Sequence, residues 1–188
     1  MSDLYVFLVL AIIIVISAVY TRLRKKVGSS YVQQKLQALN ENEYKIVSAV
    51  QLPEAERLDH VVISIYGVFL IKRENYDGSI YGKETDEEWL FQVKKKQTPF
   101  INPLRANEQR KQHVAEFLQL NEKYITTIVA FSNKAILAID PSLMKNKTVV
   151  LYDDIVASIE TYKTPRLSKE NVTKLTEKLQ TLEKAHSK

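Results

Sequence analysis

The fold is decided by the stretch from Leu58 to Gly78, which reads LDHVVISIYGVFLIKRENYDG. Its β-branched and bulky side chains form two apolar runs, separated by a turn signal at Tyr66-Gly67. This pattern is typical of a β-hairpin. Because both faces of the runs are apolar near the turn, we expect the hairpin to be central in a sheet that is covered on both sides.

The open end of this hairpin carries the first candidate site. A two-residue turn at Tyr66-Gly67 would place Asp59 opposite Glu74. Since side chains alternate between the two faces of a strand, Asp59, Lys72 and Glu74 would share one face. Asp59 and Glu74 are then candidate Mg²⁺ ligands, and Lys72 is a candidate group to stabilise developing negative charge or to position a water. The alternative is an ordinary ion pair at the end of a hairpin.

Composition excludes several other kinds of site. The 188 residues include no cysteine, which excludes disulfides, thiolate zinc sites and thiol catalysis. The three histidines are scattered, and neither a Gly-rich phosphate loop nor a nucleophile-elbow motif is present. The net charge of +5 is a modest excess that is compatible with a membrane surface or a nucleic acid as partner.

The N-terminal stretch Leu4–Tyr20 contains no charged residue. As a helix it would be about 26 Å long, at the short end of a membrane span. Asp3 precedes it and four basic residues follow between 22 and 26, so the positive-inside rule predicts an outside N-terminus and a cytoplasmic domain. We therefore expect residues 1–27 to form a transmembrane anchor in the bilayer with a basic juxtamembrane segment, and residues 28–188 to form one domain.

Helical and strand patterns alternate along the rest of the chain. The predicted elements besides the hairpin are a helix over Gly28–Asn40 capped by Ser29 or Ser30, strands at Tyr44–Leu52, Ser79–Tyr81 and Trp89–Val93, a helix from Asn102 to about Leu120, strands at Ile125–Phe131, Ala135–Ile139 and Thr148–Tyr152, a helix capped by Asp153, and a last helix capped by Ser168. Proline after Asn102 strengthens that helix start. The order predicts a mixed α/β domain with a central sheet and helices on both faces.

Basic residues are concentrated between Lys94 and His113, where Glu108 is the only acid. They are Lys94, Lys95, Lys96, Arg105, Arg110 and Lys111. One interpretation is a basic wall beside the hairpin that binds the phosphate backbone of DNA or RNA. The other is a solvated helix face.

An ordered set of short motifs runs from the first predicted helix into the helix after Asn102. The motifs are Gly28, Val32 and Leu36, then Asp59-His60 in LDHVVIS, Gly67 in GVFLI, Asn75-Tyr76, Gly78, Ile80-Tyr81-Gly82, Trp89, NPL at Asn102–Leu104, and Asn107. This set resembles the NERD domain, the nuclease-related domain of the PD-(D/E)xK restriction-endonuclease-like group. The resemblance implies a restriction-endonuclease-like α/β fold with a central mixed sheet and, in intact members, Mg²⁺-dependent DNA cleavage.

The departures from the family pattern fall where catalysis would take place. Where the family has a glutamate after Gly28, this chain has Ser29, and where the family has Glu-x-Lys it has Lys72-Arg73-Glu74, with the acid and the lysine exchanged. The family's glutamine before Asn107 is replaced by Ala106, and its histidine in that helix by Arg110. Of the catalytic and metal-binding set that the resemblance implies, only Asp59 is in place.

Two hypotheses follow from these departures. In the first hypothesis, Lys72 repels the metal ion and the site is inactive. The charged side chains then form structural or phosphate-facing pairs, Asp59 with Lys72 and Glu74 with Arg73 or Arg105. In the second, a permuted site of Asp59, Glu74 and Lys72 still binds Mg²⁺ and cleaves nucleic acid. The sequence favours the first, a catalytically inactive module without a cofactor that binds nucleic acid or another partner. A membrane-tethered protein-interaction scaffold that uses the C-terminal helix is a further alternative.

Overall fold

Two mixed β-sheets flanked by helices form the domain, as the predicted α/β class requires. A computed structural model describes the backbone of residues 2–53 and 57–185 and the side chains of 6–19, 30–53 and 57–182. The helices are α1 (Ser2–Leu36), α2 (Pro103–Leu118), α3 (Pro141–Lys145), α4 (Ile155–Ile159) and α5 (Lys169–Ala185). The strands are β1 (Tyr44–Gln51), β2 (Arg57–Ser64), β3 (Gly67–Glu74), β4 (Ser79–Gly82), β5 (Glu88–Val93), β6 (Lys96–Ile101), β7 (Ile125–Phe131), β8 (Ile136–Ile139) and β9 (Val149–Leu151).

The hairpin β2–β3 lies at the centre of the first sheet, sheet A, whose strand order is β1-β2-β3-β7-β9. Strand β7 runs parallel to β3, and the connection between them contains β4, β5, β6 and then α2. Val68 and Leu70 pack in the same core as residues of α2 and α5. Phe69 and Ile71 pack on the other face with residues of α1 and α4. The prediction of a central hairpin covered on both sides is confirmed.

The predicted register of the hairpin is wrong by two residues. The turn is Ile65-Tyr66, and Gly67 is the first residue of β3, paired with Ser64. Gly67 has φ +143°, and a Cβ there would lie 2.9 Å from the carbonyl oxygen of Tyr124. Glycine is therefore required here for two reasons, its positive φ directly after the turn and the close approach of the chain before β7.

A second sheet, sheet B, has the strand order β6-β5-β4-β8 and was not predicted as a separate unit. Strand β6 was missed because the lysines before it were assigned to the basic stretch. Lys94 takes the left-handed conformation, φ +55°, in the tight β5–β6 turn. The inner face of sheet B packs on the core through Ile80 and Trp89, which are both fully buried, and the Trp89 ring stacks on Phe131.

Two of the predicted helix caps are confirmed. The Leu104 N–H donates to Oδ1 of Asn102 over 3.0 Å at the start of α2. The Asn171 N–H donates to Oγ of Ser168 over 3.1 Å at the start of α5. Each side chain accepts from a backbone group that the first turn of a helix leaves without a partner.

The other two predicted caps are wrong. Helix α1 continues through Ser29 and Ser30, so neither starts a helix. Asp153 makes no cap: its carboxylate pairs with Lys35 over 2.7 Å and accepts a hydrogen bond from Tyr31 over 2.5 Å. Asp153 therefore ties the C-terminal part of α1 to the segment after β9.

The N-terminal part of α1 exposes its apolar side chains from Val6 to Val19. Across the described residues, no helix is both long enough and apolar enough to cross a membrane, so the predicted span Leu4–Tyr20 has no support from the structure. The basic side chains at 22–26, which were predicted to flank the bilayer, lie outside the described residues.

Candidate functional site

Asp59 lies where the two strands of the hairpin separate. The last paired residues of β2 and β3 are His60 and Ile71. Beyond them, Oδ2 of Asp59 accepts a hydrogen bond from the backbone N–H of Arg73 over 2.9 Å. Oδ1 of Asp59 accepts from the Arg73 guanidinium over 3.1 Å. Both carboxylate oxygens are thus engaged by one residue of β3.

Lys72 adds a second cation to the same carboxylate. Its Nζ lies 3.9 Å from Oδ2 of Asp59. The side chains of Asp59, Lys72 and Arg73 are only 19%, 26% and 14% exposed, so solvent screens these interactions less than it screens a surface pair. The charge of Asp59 is therefore balanced within the protein.

Glu74 does not lie directly opposite Asp59, as the predicted metal site required. Because of the two-residue shift, Asp59 is level with Lys72, and Glu74 lies two residues further along β3. The Glu74 carbonyl accepts hydrogen bonds from the Ser132 N–H over 2.9 Å and from the Tyr152 hydroxyl over 3.3 Å. Within residues 2–53 and 57–185, no three or more His, Cys, Asp or Glu side chains are grouped to hold a metal ion.

His60 is the buried titratable group beside this site. It is 1% exposed, and its Nδ1 lies 2.8 Å from Oγ of Ser48. Its Nε2 has no hydrogen-bond partner among the described residues. Burial, reinforced by the Arg73 charge and opposed by Asp59, lowers the pKa of His60 to about 4. His60 is therefore neutral at pH 7.

Comparison with known families shows which family contains the hairpin that carries Asp59. The sequence model of the nuclease-related domain, NERD, matches residues 24–132, from α1 to the segment after β7. The chain belongs to the NERD family. The matched region contains the hairpin and α2, and family membership supports a nuclease-like fold for it.

An uncharacterised protein of Bacillus anthracis is similar to this NERD protein. The two are 29% identical over 153 residues, which cover 78% of this chain and 71% of that protein. No solved structure matches the chain significantly. What the domain does must therefore be argued from its own geometry.

Helix α2 of the NERD domain turns Arg110 inward. Arg110 and Asn107 are 8% and 1% exposed, and the guanidinium donates to Oδ1 of Asn107 over 3.0 Å. They share the buried face of α2 with Val114, which packs in the same core as Leu70. Lys72 lies on the Leu70 face of β3 by strand alternation. Arg110 is thus a buried polar residue on the hairpin side of α2.

The other predicted basic residues differ in their surroundings. Nζ of Lys111 is 3.0 Å from the Glu108 carboxylate, and the Arg105 guanidinium is 3.6 Å from that of Glu87. The lysines Lys94–Lys96 are exposed at the β5–β6 turn of sheet B and make no ion pair with any described residue. Of the six, these three are the exposed ones without an ion pair among the residues that the structure describes.

Sequence reasoning did not assign Arg73 as the partner of Asp59. Strand alternation places Arg73 on the opposite face from Asp59, and the separation of the strands after His60 is what allows the contact. His60 was recognised only as part of a motif. The apolar residues Val61 and Val62 after it are the signal of burial that the sequence did contain.

Proposed function

We propose that this NERD domain is a catalytically inactive interaction module in which Asp59 forms a structural ion pair. The observation that carries the proposal is the double contact of Arg73 with the two oxygens of Asp59, with Lys72 as a second cation. A charge-assisted pair of this kind orders the end of the hairpin. It also occupies the lone pairs that a metal ion would need.

The residues present do not fit Mg²⁺. Mg²⁺ requires oxygen ligands in near-octahedral geometry. Here the charge of the Asp59 carboxylate is already balanced by Lys72 and Arg73. The residue level with Asp59 on β3 is Lys72, whereas the predicted permuted site needs a second carboxylate there. A divalent ion would have to displace Arg73 and approach Lys72 against charge repulsion.

A cleavage assay on the full-length protein tests the proposal. Single- and double-stranded DNA and RNA are incubated with Mg²⁺ or Mn²⁺, and we expect no cleavage above buffer for the wild type. Cleavage that is lost in both Asp59→Ala and Glu74→Ala would refute the proposal in favour of the permuted nuclease. Mn²⁺ binding measured by electron paramagnetic resonance adds a readout that does not depend on choosing the right substrate.

Nucleic acid is one candidate partner for such a module, and the exposed lysines at the β5–β6 turn favour it. Electrostatic binding of this kind weakens steeply with salt. Fluorescence anisotropy with a labelled oligonucleotide should then show salt-dependent binding that Lys94→Glu with Lys95→Glu weakens. The exposed pair Lys163→Glu with Lys169→Glu is the matched control. Equal loss in both variants would indicate a non-specific charge effect.

We also propose that α1 attaches the domain to a lipid bilayer, with the domain on the cytoplasmic side. The supporting observation is the continuous exposure of apolar side chains from Val6 to Val19, because apolar surface of this extent on a folded protein is usually covered. The full-length protein should remain with membranes after alkaline extraction. A variant with Ile13→Lys and Ile14→Lys should be released. Recovery of the wild type in the soluble fraction would exclude attachment.

A further inference from the structure

The outer face of sheet B carries an unusual concentration of exposed apolar side chains. Among the described residues after α1, six large apolar side chains are exposed, and five of them lie on sheet B: Tyr81, Leu90, Val93, Ile101 and Ile136. Ile101 and Ile136 are 71% and 65% exposed. Apolar surface that is grouped in this way marks a binding surface more often than single exposed residues do.

Strand register shows that four of these side chains share one face. Tyr81 pairs with Leu90, Glu88 pairs with Ile101, and Ser79 pairs with Ile136. The outer face of sheet B is formed by Ser79, Tyr81, Glu88, Leu90, Gln92, Gln97, Pro99, Ile101, Ile136 and Ala138. The opposite face holds the fully buried Ile80 and Trp89, so the core is on that side alone.

Charge is divided between the two ends of the outer face. Lys94 and Lys95 are exposed at the β5–β6 turn, at one end. Glu84 and Glu88 are exposed at the other end, in and after the β4–β5 loop. None of these four makes an ion pair with a described residue, whereas nearby Glu87 is paired with Arg105. The face therefore has an apolar middle, a positive end and a negative end.

We propose that the outer face of sheet B binds a second copy of this chain. A two-fold axis that lies between the two faces and runs perpendicular to the strands reverses the strand direction of the second copy. The lysine turn of each copy then meets the acidic loop of the other, and the apolar middles are buried together. A surface with opposite charges at its two ends is self-complementary under this symmetry. The inference rests on the proposed interaction role and names its partner.

The same features disfavour nucleic acid as the main occupant of this face. The side chains of Leu90 and Ile136 offer no hydrogen bonds to a phosphate backbone. The carboxylates of Glu84 and Glu88 would repel phosphates that followed the face away from the lysine turn. A second copy places an opposite charge against each end of the face at the same time.

The expected dimer is reversible. Four strands at about 4.8 Å give a face roughly 19 Å wide, which is at the small end of specific interfaces. We therefore expect self-association that depends on protein concentration and weakens with salt. Attachment of both copies to one membrane would raise their effective concentration.

Analytical ultracentrifugation of the full-length protein in non-ionic detergent, over a concentration series, tests the inference. We expect the dissociation constant to rise at least tenfold, equivalent to about 1.4 kcal/mol, in Lys94→Glu with Lys95→Glu. An equal rise in the dissociation constant is expected in Glu84→Lys with Glu88→Lys. A 1:1 mixture of the two variants should restore association, since each contact again joins opposite charges. This rescue also shows that both variants are folded.

Three results would overturn the inference. They are a wild type that stays monomeric at every concentration, self-association that neither reversal changes, and a mixture that shows no rescue. Loss of oligonucleotide binding in the lysine variant with unchanged self-association would instead assign the face to nucleic acid. The variant Lys163→Glu with Lys169→Glu should associate like the wild type. Cleavage of nucleic acid would contradict the proposed inactivity and leave the sedimentation result untouched, so the two failures are distinguishable.

Discussion

At the scale of single residues, the neighbours of Asp59 decide what its carboxylate can do. Asp59 lies in the region that matches the nuclease-related domain, and Lys72 and Arg73 supply two positive charges at the carboxylate itself. A partly buried ion pair is costly to break from one side, because the remaining charge loses its partner. Asp59 therefore holds the end of β3 in place through its contacts with Arg73.

Asp59→Asn should destabilise the fold. We expect the free energy of unfolding to fall by about 1–3 kcal/mol, because the Arg73 guanidinium loses its charged acceptor. Urea denaturation measures the change. Glu170→Gln is the matched control, since it removes an exposed acid paired with Lys174 over 2.7 Å and should cost only about 0.3–0.5 kcal/mol. An Asp59→Asn protein that is more stable than the wild type would argue for a strained, metal-binding aspartate.

His60 should make the stability of the domain depend on pH. Its pKa is about 4 in the folded protein and 6.5 without the fold, so the unfolded chain binds more protons between these values. Stability is then fully present above pH 6.5 and falls as the pH drops towards 4, by up to about 3 kcal/mol. His60→Gln should flatten this part of the profile in urea denaturation at pH 7, 5.5 and 4. The exposed His113→Gln should leave it unchanged.

At the scale of elements, one side chain joins α2 to the β4–β5 loop. Asn102 is fully buried, and its Oδ1 caps α2. Its Nδ2 donates to the carbonyls of Asp86 and Glu84 over 2.7 and 3.0 Å. The cap was predictable from Asn102-Pro103. The bonds to the loop depend on how sheet B packs against the start of α2.

Asn102→Ala should cost more than the loss of a cap. We expect a loss of about 2–4 kcal/mol in the free energy of unfolding, from the missing cap together with the loop carbonyls that lose their donor. Ser168→Ala, which removes only the cap of α5, should cost about 1 kcal/mol. Thermal and urea denaturation give both values. Similar losses in the two variants would show that the loop contacts of Asn102 contribute little.

At the scale of the whole molecule, both sheets combine antiparallel and parallel strands. In sheet A, β3 pairs with β7, and in sheet B, β4 pairs with β8, each in parallel. The hydrophobic cores hold this arrangement together from both faces of sheet A and from the inner face of sheet B. In our proposal, the stability of the two sheets does not depend on a bound metal ion.

Mg²⁺ should therefore leave the thermal unfolding midpoint of the full-length protein unchanged. A site filled at a hundred times its Kd would add about 2.7 kcal/mol to the free energy of unfolding, a shift easily seen by circular dichroism. We expect the same midpoint in 10 mM Mg²⁺ as in EDTA at about equal ionic strength. A Mg²⁺-dependent rise that disappears in Asp59→Ala would show that the metal site survives.

The elements that depend on local chemistry could be predicted from neighbouring residues. Alternating and apolar runs predicted the hairpin and most other strands, and the side chains of Asn102 and Ser168 predicted two helix starts. The ordered motifs predicted the family, which the family model confirms. That Lys72-Arg73-Glu74 marks an altered site stays a prediction. These inferences succeed because the periodicity of a strand or the chemistry of a cap is written in neighbouring residues.

The register of the hairpin and the partners of its charged side chains could be read only from the folded protein. The hairpin register differs by two residues from the predicted one, because the turn is Ile65-Tyr66 and Gly67 already belongs to β3, packed against the backbone of Tyr124. Asp59 contacts Arg73 because the pairing of β2 with β3 ends at His60 and Ile71. Arg110 was buried by the packing of α2 on sheet A, which no local pattern records. Each of these depends on residues far apart in the chain, and only the packed sheets bring them together.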